Sequence, residues 1–84
     1  MKENERPEVD LFKTPCPHGL LVEIEGKGRF AVEIPSINLI TGIAHVLTLL
    51  TRRRIFVDEF FASRITILEL NQKSRFIKVR IAGE

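Results

Sequence analysis

The sequence predicts an α+β fold with two layers, a four-stranded antiparallel sheet in ββαββ order with one main amphipathic helix packed on one face. Three observations predict it. Two alternating apolar and polar runs flank Gly26-Lys27-Gly28, and a second pair flanks Asn71-Gln72-Lys73-Ser74. Between the pairs, apolar residues recur at helical spacing.

Residues 1–18 read as a flexible, proline-containing N-terminal arm, and residues 19–84 as a single domain. The arm holds Pro7, Pro15 and Pro17, four acidic groups, and only scattered apolar residues (Val9, Leu11, Phe12). Proline restricts both itself and the residue before it, so residues 14–18 are expected to be extended.

Residues 20–25 and 29–34 form the first hairpin, because the glycines around the bend supply the positive φ that a tight turn requires. Leu20, Val22 and Ile24 oppose Leu21, Glu23 and Glu25. In the second run Phe30, Val32 and Ile34 share a face. Such alternation describes a sheet with one buried side.

Pro35-Ser36 opens the helix, with Ser36 as its expected N-cap. At 100° per residue, Ile37, Leu39, Ile40, Ile43, Ala44, Val46, Leu47 and Leu50 fall on one broad side. The other side collects Asn38, Thr41, Gly42, His45 and Thr48, with no permanent charge before Arg52. Arg52, Arg53 and Arg54 close the helix, where cations suit the negative end of its dipole. Residues 55–63 are ambiguous: Phe56 and Phe60 make an i, i+4 pair suited to a short helix, whereas Ile55-Phe56-Val57 suits a brief strand. Residues 64–70 and 75–81 form the second hairpin. Ile77, Val79 and Ile81 face the core, and Phe76, Lys78 and Arg80 face outward.

Composition narrows the function classes. The chain has 84 residues, 44% hydrophobic and 29% charged, which excludes a disordered polymer and fits one small domain. A chain of this size buries roughly 60–65% of its unfolded surface, so self-association is a natural supplement to a thin core. The net charge of +2 is unevenly placed: −1 over residues 1–15, −1 over 16–51 and +4 over 52–84. One cysteine, Cys16, excludes an internal disulfide and suits a reducing compartment. No secretory leader is evident. The longest apolar stretch is interrupted by polar residues and falls short of the roughly 20 residues that a bilayer needs. The expectation is a cytoplasmic protein with no membrane partner.

Catalytic motifs are not found. Cys16 and His18 lie in a proline-rich segment poorly suited to holding a nucleophile against a base. His45 lies mid-way along the polar helix side. Cys16, His18 and His45 lack the paired spacing of a zinc site, so no metal or cofactor is expected. Gly26-Lys27-Gly28 precedes a strand rather than a helix and reads as a hairpin bend, not a phosphate loop. Glu23, Glu25 and Glu33 read as a solvated face.

Two non-enzymatic functions are therefore expected. The first is largely sequence-independent binding of single-stranded DNA or RNA. Phe76 would stack a base while Arg52, Arg53, Arg54, Arg64, Lys78 and Arg80 meet phosphates. An outward Phe among alternating cations also describes the solvent side of an ordinary sheet. Residues 74–79 lack the glycine and second exposed ring of an RNA-recognition strand, and the element order differs from that fold. The second is protein interaction or assembly, with a homodimer expected. Its interface would be Asn38, Thr41, Gly42, His45 and Thr48 of the weakly polar helix side, with the adjacent rings Phe60 and Phe61.

Overall fold

The computed structural model describes residues 9–33 and 37–83. Strands β1 (Leu20–Ile24) and β2 (Gly28–Val32) precede helix α1 (Leu39–Thr51) and the short helix α2 (Glu59–Ser63); β3 (Ile65–Asn71) and β4 (Phe76–Ile81) complete the chain. This is the expected α+β fold, one main helix on a four-stranded sheet. The sheet is mixed rather than wholly antiparallel. Its order is β2-β1-β4-β3, and the two central strands run parallel. Each hairpin is antiparallel because a short turn joins it. The chain between them crosses the sheet face through α1, which lets β4 enter beside β1 in the same direction. That pairing depends on no local signal.

Gly26 (φ 84°) and Gly28 (φ 113°) take the positive values expected of the first bend. Alternation decides the faces. Leu20, Val22 and Ile24 of β1, Val32 of β2, and Ile77, Val79 and Ile81 of β4 are all buried. They meet Leu39, Ile40, Ile43, Val46 and Leu47 of α1 in one core. Leu68 of β3 has no partner on β4, because the register shifts between Ile67 and Glu69.

The N-cap of α1 is Asn38, whose side chain accepts from the Thr41 amide at 3.1 Å. Ser36, the expected cap, lies outside the described residues, as does Ile34. The part of the 1–18 arm from residue 9 onward packs on the domain. Leu11 joins the core, the Leu39 and Ile40 amides donate to the Thr14 and Leu11 carbonyls, and Asn38 Nδ2 donates to the Phe12 carbonyl at 2.8 Å. Carbonyls of residues 11–14 thus satisfy helix N-terminal amides that have no partner within the helix.

At the other end Arg52 is the C-cap of α1 in the left-handed region (φ 59°), its amide donating to the Thr48 carbonyl at 2.8 Å. The ambiguous stretch resolves as an irregular link followed by α2, whose N-cap Asp58 accepts from the Phe61 amide at 2.9 Å. Phe56 lies in the link, so it and Phe60 are not partners on one helix.

Candidate functional site

The outward sheet face carries Phe76, Lys78 and Arg80 as expected, but in company that changes its electrostatics. The parallel register sets Lys78 beside Glu23 of β1, and Glu23 in turn faces Arg29 of β2. On the far side Lys78 faces Glu69 of β3. One row across all four strands therefore alternates Glu69, Lys78, Glu23 and Arg29. Within it Glu23 takes an ion pair from Arg29 at 3.0 Å and from Lys78 at 3.8 Å.

Arg80 makes a two-point contact with Glu25, with Nε at 2.6 Å from Oε1 and Nη2 at 3.2 Å from Oε2. Its hydrogen bonds hold the Glu25 carboxyl below the usual range, helped by the charges of Arg80 and Lys78, and the same contact raises Arg80. Phe76 is half-buried, with the Arg29 guanidinium 5.4 Å from its ring centroid. A phosphate approaching this face would have to displace carboxylates already in place. Arg64 is also engaged: Nε donates to the Ala82 carbonyl at 2.8 Å, and the guanidinium lies 6.0 Å from the Phe61 ring.

Arg52, Arg53 and Arg54 differ. They are exposed, and among the described residues none forms an ion pair. Of the seven expected nucleic-acid residues, these three leave their guanidinium groups unpaired.

The weakly polar side of α1 is largely occupied by the fold itself. Asn38 caps the helix, and Thr48 Oγ1 donates to the Ala44 carbonyl at 2.9 Å. Gly42 is buried rather than open to a partner. A Cβ there would stand 2.9 Å from Cys16 Sγ and 3.8 Å from Val32 Cγ1. The missing side chain admits the N-terminal segment against the helix. Thr41 and His45 are half-buried. The adjacent phenylalanines divide: Phe61 is 2% exposed and Phe60 is 72% exposed.

Phe60 belongs to a stretch of the chain rich in exposed apolar side chains. Of the seven exposed large hydrophobic residues among the described residues, five (Leu49, Leu50, Phe56, Val57 and Phe60) fall within residues 49–60. Phe56 is 71% exposed and Leu49 is 65% exposed. The three unpaired arginines sit among them. Sequence reasoning placed Leu50 on the covered side of the helix and did not single out Leu49. The signal was available, since Leu49 follows His45 by four residues and therefore shares its side of the helix, away from the apolar stripe.

Among the described residues no three His, Cys, Asp or Glu side chains gather as a metal site would require. Two clefts of about 350 and 270 Å³ flank the N-terminal segment, and their linings carry one ionisable side chain each, Asp10 and Arg75. Among the described residues no helix is long and apolar enough to cross a membrane. No family model matches the chain, and neither a curated protein nor a solved structure matches it.

Proposed function

We propose that this protein is a non-enzymatic interaction module whose docking surface is the segment of residues 49–60. One observation carries it: exposed leucine, valine and phenylalanine side chains concentrate in a single short segment together with unpaired arginines. Scattered apolar residues are normal on a surface, whereas a concentration of them marks a contact site. Aromatic residues and arginine are also the types enriched where proteins bind one another. A photo-activated cross-linking side chain at position 60 should capture another protein in cells, and the same group at Lys27, in the bend between β1 and β2, should not. Equal capture at both positions, or none at 60, removes the proposal.

Nucleic-acid binding remains as a second reading, supported by the unpaired Arg52–Arg54 cluster rather than by the sheet face. Three phosphate contacts to a single strand give a salt slope of about −2 in log–log form. Replacing the three arginines by alanine should abolish that slope. Lys78→Ala and Arg80→Ala should leave it unchanged, because both cations already have carboxylate partners. No binding at low salt ends this reading.

A further inference from the structure

The docking segment is complementary to itself, and we infer that its occupant is a second copy of this chain, paired antiparallel about a two-fold axis near Phe56. The inference rests on the interaction reading above and names its partner. Arg52, Arg53 and Arg54 lie on one side of Phe56, and Asp58 and Glu59 lie on the other. An interface between identical copies related by a two-fold axis must match a surface to itself, with residue i meeting j and j meeting i. Reversing the segment against its copy around Phe56 achieves this. Along the extended backbone Arg54 then faces Asp58 of the second copy, and beyond it Arg52 and Arg53, at the end of α1, approach the copy's Glu59 and exposed Phe60 ring at the start of α2, a favourable ionic and cation–aromatic combination. Phe56 meets its own counterpart, with Ile55 opposite Val57. A parallel arrangement sets arginine against arginine and carboxylate against carboxylate.

The backbone points the same way independently of charge. Residues 54–57 belong to neither helix nor strand, and among the described residues their amides and carbonyls make no hydrogen bond. Four consecutive residues therefore present free donors and acceptors of the kind an antiparallel partner satisfies. Ile55 is half-buried against the core while Phe56 points outward, so the segment is anchored on one side and open on the other.

Sedimentation velocity of the full chain over a dilution series tests the inference, and charge reversal supplies its specificity. The wild-type chain should dimerise. Arg53→Glu and Glu59→Arg should each weaken self-association by roughly tenfold or more, because two-fold symmetry breaks every pair twice. The double variant R53E/E59R should restore it. Both positions are exposed, so each variant should keep the wild-type circular dichroism spectrum. Phe56→Ser should also yield a monomer with an unchanged spectrum. A wild-type monomer at every concentration, or a double variant as weak as the single ones, overturns the inference. If the wild type is monomeric while the cross-linker at position 60 still captures other proteins, the docking surface stands and only self-pairing falls.

Discussion

Gly42→Ala tests the packing of the N-terminal segment against α1, and its sign is set by two opposing effects. Gly42 lies in the helix interior, where alanine is favoured by about 1 kcal/mol. The added methyl, however, would stand 2.9 Å from Cys16 Sγ, closer than van der Waals contact permits. Forcing a methyl into filled space costs about 1–3 kcal/mol. The net effect should lie between neutral and about 2 kcal/mol of destabilisation.

Cys16→Ala removes the sulfur, and the nearest remaining neighbours, the Cys16 Cβ and Val32 Cγ1, are at an ordinary 3.8 Å. In that background Gly42→Ala should stabilise by up to about 1 kcal/mol. A double-mutant cycle should therefore show coupling of about 1–3 kcal/mol. Urea denaturation followed by far-ultraviolet circular dichroism measures it, since the chain has no tryptophan or tyrosine to report by fluorescence. Equal stabilisation in both backgrounds would show that the thiol does not fill the space over Gly42.

Two further predictions concern the cap and the sheet face. Asn38→Ala should cost about 1 kcal/mol as a lost N-cap, and the Leu39 and Ile40 amides should exchange faster because the Phe12 contact goes with it; unchanged exchange would show that residues 11–14 hold the helix end without Asn38. Arg80→Met should raise the Glu25 carboxyl towards its ordinary 4.5, read from its side-chain carbon shift in an NMR pH titration. In the wild type the folded-state value is depressed, so this contribution to stability is present above the unfolded value near 4.5 and is lost as pH falls through the folded value. An unmoved Glu25 titration would refute Arg80 as the cause.

Much of the fold was legible because local patterns report which way side chains point. Ile77, Val79 and Ile81 alternate with Phe76, Lys78 and Arg80, and the structure buries the first set. The candidate site was less legible. Lys78 and Arg80 read as open cations because their carboxylate partners, Glu23 on β1 and Glu25 in the turn after it, were kept as a separate solvated face. Gly42 read as an invitation to a partner because nothing in the helix pattern says that Cys16 lies over it. Phe60 and Phe61 read as a conflicting pair, and neighbouring positions on a helix do point apart; which ring turned inward was settled by the placement of α2.

The residues alone determined the two hairpins, the helix between them, the inward side of the strands, and the charge imbalance that leaves Arg52–Arg54 together. Each of these follows from chain geometry over a few residues, where the period of two or of 3.6 dictates direction. Tertiary structure alone decided that β4 lies parallel to β1, that Glu23 and Glu25 neutralise the cations of the last strand, and that Leu49, Leu50, Phe56, Val57 and Phe60 remain exposed. Those outcomes depend on contacts between distant parts of the chain, whose register is chosen by the packing of the whole core rather than by any nearby residue.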